Sequence, residues 1–220
     1  MAVGATSRLF RQNGSPNRRT RIRIRRRAVT GICGGLAYLR VALAGTSSMT
    51  VVIRAATFED AESIATVHVA SWQVAYKGIV PGAFLNALSV ERSTWDWDRS
   101  LRAKKPDMLV ACDGNVIVGW IAFGACRDSG EDGSRAEIEA LYVLEPFWRR
   151  GIGKRLYNSA SRILLVAGYS SISLWVLSKN LRAQAFYLRI GFTLDDRSKT
   201  IQIGGASLIE VRFQRLLEGS

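Results

Sequence analysis

Residues 137–168 constrain the fold more than any other part of the chain. An apolar run from Ala136 ends near Val143, and Pro146 then turns the chain. Gly151-Ile152-Gly153 opens a segment with apolar residues at helical spacing as far as Ala167, where Gly168 supplies a stop. A second apolar run, residues 171–176, follows at once. Strand, helix and strand in this order call for a sheet with helices laid upon it, because neither element can cover its own apolar face.

The flanking sequence extends the pattern. Residues 51–55 read as a short strand. Thr57-Phe58-Glu59-Asp60 offers an N-cap with an acid three residues on, which predicts a helix to about residue 75 with Ile64, Val67, Ser71, Trp72 and Ala75 on one face. Residues 76–81, with Gly78, read as a loop before a short helix at 83–88. Strands at 108–112 and 116–125 are joined by Asp113-Gly114-Asn115, whose Gly and Asn tolerate the positive φ of a tight turn, so they form an antiparallel hairpin. Residues 127–135 are a polar loop. A helix at 181–190 stops at Gly191, and two strands close the chain, one from Phe192 and one at 208–216. The expectation is one α/β (α+β) domain over residues 49–220, with a mixed, mostly antiparallel sheet of about six to seven strands flanked by helices.

The net charge of +13 has to be located before it is read. Residues 1–48 hold ten arginines and no Lys, Asp or Glu, which leaves 21 basic against 18 acidic residues, a balance of +3, for the remainder. The body is nearly neutral, so a nucleic-acid partner is expected only through the basic arm. The arm itself is read as a start-site extension ahead of Met49, a targeting segment, or a disordered basic tail, and is left out of the fold. Nothing in the chain is apolar for long enough to predict a spanning helix, and a cytoplasmic location is expected. Cys112 and Cys126 read as small buried side chains, with no metal spacing, so no metal is expected. His68, the one histidine, falls in a helix and cannot alone build a nucleophile relay.

The chemistry concentrates where the 152–167 helix begins. The first four N–H groups of a helix have no partner inside it, and they carry the positive end of the dipole. A diphosphate placed there receives several N–H bonds together. Gly151 and Gly153 let backbone approach phosphate closely, and Arg149, Arg150 and Lys154 add positive charge. A Walker loop is excluded because Arg155 follows Gly153-Lys154 and no glycine stands five residues before Gly153. A dinucleotide fingerprint is excluded because Leu156 stands where its third glycine belongs.

Trp148-Arg149-Arg150-Gly151-Ile152-Gly153 resembles the [QR]-x-x-G-x-[GA] acetyl-CoA motif of the GNAT superfamily of N-acetyltransferases. Trp148 takes the first position, where Gln or Arg is usual, and Arg149 or Arg150 is expected to supply the charge. Asn180-Leu181-Arg182-Ala183 with Tyr187 and Gly191-Phe192 is similar to the family's N-x-x-A-x-x-x-Y…GF signature, and residues 53–61 resemble its opening strand and helix. The resemblance implies acetyl-CoA as co-substrate, lying in a splay between two central parallel strands. The pantetheine arm would then pair with backbone at Leu141 and Val143, the pyrophosphate would lie on Arg149, Arg150, Gly151, Ile152, Gly153 and Lys154, and Asn180 and Tyr187 would flank the arm and the sulfur.

It also implies roles. The Tyr187 phenol would protonate the departing thiolate. Glu137, which matches the base of some members and ranks slightly first, or Glu139 would deprotonate a primary amine, and an N–H near Val143 would polarise the thioester. Each residue keeps a plainer alternative: Tyr187 as a core aromatic, Glu137 and Glu139 as solvated or ion-paired carboxylates. Trp72, Tyr76, Trp95 and Trp97 either line an acceptor groove or fill the core. Residues 76–105 and 127–135 are the expected acceptor loops. The expected partner is a small-molecule or peptide amine, and a homodimer is common in such a family. A non-catalytic acyl-CoA-binding or sensor module on the same fold is the alternative to an enzyme.

Overall fold

The computed structural model describes residues 2–4, 51–131 and 133–218. Among these residues eight strands form one sheet: β1 (Ala2–Gly4), β2 (Val51–Ala55), β3 (Asp107–Asp113), β4 (Val116–Ala125), β5 (Arg135–Val143), β6 (Ser171–Leu177), β7 (Thr193–Ile203) and β8 (Ala206–Leu216). Among the described residues five α-helices cover it: α1 (Ala61–Ala75), α2 (Gly82–Asn86), α3 (Val90–Ala103), α4 (Ile152–Val166) and α5 (Leu181–Arg189). The order across the sheet is β2-β3-β4-β5-β6-β8-β7, with β1 paired to β5 off that path. All pairings are antiparallel except β5 with β6. This is the mixed sheet read from the sequence.

The parallel pair carries the feature that matters. β5 and β6 pair only through Arg135–Glu137 and Ser171–Ser173. Beyond Glu137 the two strands part, leaving a wedge along residues 138–143. A register shift in the β4–β5 pairing sets Phe123 opposite Ile138 and Ala122 opposite Ala140, so Glu139 is the extra residue of a β-bulge at the mouth of this wedge. Inside it, β1 pairs antiparallel with β5, setting Ala2 opposite Tyr142 and Gly4 opposite Ala140. The reading that left residues 1–48 out of the fold therefore does not extend to Ala2–Gly4. The rest of the arm lies outside the described residues.

Two layers of side chains sandwich the sheet. On one face α1 packs against β4 and β5 and also against α3. Trp72, Trp97, Trp120 and Tyr142 are almost wholly buried there, each worth about 1.5–3 kcal/mol on area alone. On the other face α4 lies over β2 to β5 and buries Ile152, Leu156, Ala160 and Leu164. Their spacing is the helical period seen in the sequence.

Most boundaries agree with the sequence reading. Asp60 accepts the Thr57 backbone N–H at 2.9 Å, the acidic half of the expected cap, and a single 3-10 turn, Phe58–Asp60, precedes α1. The clear difference is α3: residues 90–103 are a helix and not part of an acceptor loop. Its start is marked by Ser89, whose hydroxyl accepts the Arg92 N–H at 3.3 Å. Only Ser93, Trp97 and Leu101 are buried on it, so its apolar stripe is too thin to stand out among charges.

Candidate active site

The chain enters α4 with Gly151 at φ 77°, a left-handed conformation in which any side chain is strained. Among the described residues a Cβ added there would meet nothing within 4 Å, so they leave the corner open. The first backbone bond of the helix runs from the Arg155 N–H to the Gly151 carbonyl at 3.0 Å. The amides of Ile152, Gly153 and Lys154 are thus left outside the helical ladder. Gly153 serves packing: a Cβ there would come within 3.3 Å of the Phe186 ring and 3.6 Å of Leu141. Arg149, Arg150 and Lys154 are exposed around the same corner, and Arg150 sits over the Phe147 ring.

Trp148, in the motif position where charge is usual, does something else. Its indole N–H donates to the Val143 carbonyl at 2.6 Å and its ring lies under the Arg182 guanidinium, 4.4 Å from the centroid. It ties the last residue of β5 to the turn and gathers a cation that the motif lacks. Leu141 and Val143 are fully buried at this end of β5.

Asn180 is buried and caps α5, its side-chain oxygen accepting the Ala183 N–H at 3.2 Å. Tyr187, on α5, is 1 % exposed and packs against Phe186, Phe192 and Phe213. Burial, then the nearby Tyr76 and Tyr157, push its pKa well above the usual value of a phenol, so it is protonated at neutral pH.

The two acidic residues share a partner that the sequence did not reveal. Arg127 grips Glu137 with two bonds, 2.9 and 2.7 Å, and reaches Glu139 at 2.7 Å with its other nitrogen. Burial opposes the Arg127 charge, but the bonds and charges of Glu137 and Glu139 outweigh it and hold its pKa above the ordinary value. Both Glu137 oxygens accept from Arg127, and the Arg127 backbone N–H adds a third bond at 3.2 Å. Arg127 is simply the first residue of a polar loop in the sequence, and no periodicity says that it folds back onto a strand ten residues later.

Farther along this loop Cys126, Asp128 and Glu131 bring ligand-type atoms within 4.8 Å of one another. Asp128 accepts from Trp175 and Arg212, and Glu131 from Arg135 and Arg212, so arginines already fill the place a cation would take. Cys126 is half-buried and Cys112 buried.

On the α1 side, Trp72, Tyr76 and Trp97 fill the core, while Trp95 is 69 % exposed. The Trp72 indole donates to the Tyr142 hydroxyl at 2.8 Å, and that of Trp97 to His68 Nδ1 at 3.3 Å. His68 is ringed by Trp72, Trp97, Trp120 and Tyr142, and burial pushes its pKa down to about 3. Among the described residues no helix is long and apolar enough to cross a membrane.

A mixed sheet opened between two parallel strands, with a helix N-terminus beside the opening, is a fold that solved structures share. The PaiA N-acetyltransferase of Thermoplasma acidophilum, crystallised with coenzyme A, superposes with a TM-score of 0.60 over 76 % of this chain and 99 % of its own, at 24 % identity. The family model described as "Acetyltransferase (GNAT) family" matches residues 61–192, and the chain belongs to that family of N-acetyltransferases. An uncharacterized N-acetyltransferase of Bacillus subtilis, YuaI, is 38 % identical over 133 residues, 59 % of this chain and 73 % of its own. A spermidine N(1)-acetyltransferase of Thermoplasma acidophilum is 26 % identical over 156 residues, 67 % of this chain and 91 % of its own.

Proposed function

We propose that the chain transfers the acetyl group of acetyl-CoA to a primary amine by direct attack in a ternary complex. The observation that carries the reading is the open corner at Gly151, where three amides outside the helical ladder and three exposed basic side chains converge. These groups suit a pyrophosphate. The edge of β5 on which β1 pairs accepts an extended segment, so it suits an extended arm, which would take the place of β1 there. Leu141, Val143 and Asn180 would border that arm.

Acetyl-CoA supplies an activated acetyl group and a thiolate leaving group. Tyr187, held protonated by burial, donates its proton to the departing sulfur. A carboxylate takes the proton of the attacking amine, directly or through water. Glu139 suits this better than Glu137: its side chain is 14 % exposed against 3 %, and it stands at the bulge where the wedge opens. Glu137 then holds Arg127 in place. A polyamine is the first acceptor to try, on the strength of the spermidine-acetylating relative. A non-catalytic acyl-CoA-binding module draws support from one observation, that Arg127 already pairs with both carboxylates.

Tyr187→Phe separates the readings. An enzyme loses about 10²–10⁴-fold in kcat while its Kd for acetyl-CoA stays within a factor of two. Unchanged turnover removes Tyr187 from the chemistry. No release of CoA thiol with any amine in a panel of polyamines, lysine peptides, amino acids and aminoglycosides leaves the binding module standing.

A further inference from the structure

The wedge between β5 and β6 holds a piece of the chain's own N-terminus. Ala2, Val3 and Gly4 stand opposite Tyr142, Leu141 and Ala140, and this strand, β1, also touches β6 and α1. Among the described residues β5 is the strand it pairs with. β1 is three residues long, so it makes few ladder bonds. Each of those adds little net stability, because water offers the same groups an alternative. It covers the edge of β5 as a segment that can leave.

The composition suits the place. Residues 2–7 carry no charge, and the first arginine is Arg8. The stretch of β5 they face, Ala140, Leu141 and Tyr142, is buried and apolar, where an unpaired charge would be costly. What β1 presents to that edge is a row of amide N–H and C=O groups on an extended, uncharged chain. The pantetheine arm of acetyl-CoA presents the same chemistry, two amides on an extended, uncharged stem. A chain paired with a strand lies about 4.8 Å from it, and two chains cannot take that place together.

We propose that β1 is an autoinhibitory strap: the N-terminal segment and the acyl-CoA arm compete for residues 140–142 of β5, and acetyl-CoA binds only after the strap has left. The proposal rests on the reading of the wedge as the acyl-CoA site. The competition is within one chain, so it does not depend on protein concentration. The apparent Kd is the intrinsic Kd divided by the fraction of chains with the strap released, so a strap docked in about nine chains of ten weakens binding about ten-fold.

Two full-length variants test it, with acetyl-CoA binding read by calorimetry. Val3→Pro with Gly4→Pro removes two backbone N–H groups at positions of opposite parity, so one of them is a bonded position whichever way the antiparallel pairing alternates. It lowers the Kd for acetyl-CoA about three-fold or more, the shift for a strap docked in at least about two chains of three. Gly4→Cys with Ala140→Cys joins directly opposed residues, whose Cα atoms lie about 4.5–5.5 Å apart in an antiparallel pair, within the reach of a disulfide. Oxidised, this chain does not bind acetyl-CoA; reduced, it binds as the wild type does.

An unchanged Kd in the double-proline variant overturns the proposal, whatever the locked chain does, because the strap is then not docked in solution. An oxidised chain that binds as tightly as the reduced one also overturns it, and shows that the two segments use different edges. In both cases wild-type binding of acetyl-CoA leaves the cofactor reading standing. If no form of the chain binds acetyl-CoA saturably, that reading fails and the strap proposal fails with it.

Discussion

Lowering the pH from 7.5 to 5.0 should destabilise this domain through a single side chain. His68 is the chain's only histidine, and it is buried among Trp72, Trp97, Trp120 and Tyr142. Burial lowers its pKa from 6.5 to about 3. In the unfolded chain it takes a proton below about pH 6.5, whereas in the folded chain it stays neutral down to about pH 3. The unfolded state therefore binds more protons across this window, and stability present above pH 6.5 drains away as the pH falls. Linkage gives a loss of about 2 kcal/mol between pH 7.5 and 5.0, roughly 4–8 °C in Tm for a domain of this size. Carboxylates such as Asp60 and Asp195, whose pKa values are lowered, contribute only at more acid pH. Urea unfolding at the two pH values measures the loss. His68→Gln keeps an acceptor for the Trp97 N–H and costs stability at both pH values, but the difference between them disappears. A wild-type protein equally stable at pH 7.5 and 5.0, or a variant with the same pH dependence, would refute the reasoning.

Other expectations follow from the site. Arg127→Met leaves Glu137 buried beside Glu139 without its cation and costs about 3 kcal/mol or more, read as a fall in Tm. Adding Glu137→Gln recovers part of it. Removing residues 1–48 takes β1 off the edge of β5, so KM for acetyl-CoA falls in a steady-state assay. An unchanged KM would show that Ala2–Gly4 and the substrate do not share that edge. Gly153→Val drives a branched side chain into the Phe186 ring and Leu141, and lowers both Tm and affinity for acetyl-CoA.

The parts of the molecule that were legible in the sequence are those governed by local rules. Gly151 has to be glycine because the chain turns through positive φ there, and the period of residues 152–166 is read directly as the buried face of α4. The hairpin at Gly114, the Thr57–Asp60 cap and the stop at Gly168 are equally local. What escaped were long-range encounters. Nothing about Arg127 in sequence says that it clamps Glu137 and Glu139. Trp72 and Tyr142 are 70 residues apart and meet only once α1 lies on β5. The helix 90–103 escaped for another reason: a three-residue stripe on a highly charged segment looks like loop. Trp148 shows the reverse case, a departure from the motif that only the fold explains, through its bond to the Val143 carbonyl.

Backbone-amide NMR during a titration with acetyl-CoA tests the central claim most directly. If the diphosphate docks on the N-terminus of α4, the amides of Ile152, Gly153 and Lys154 shift most, together with those along the β5 edge at 141–143. Saturable binding that leaves residues 151–154 unmoved would contradict it.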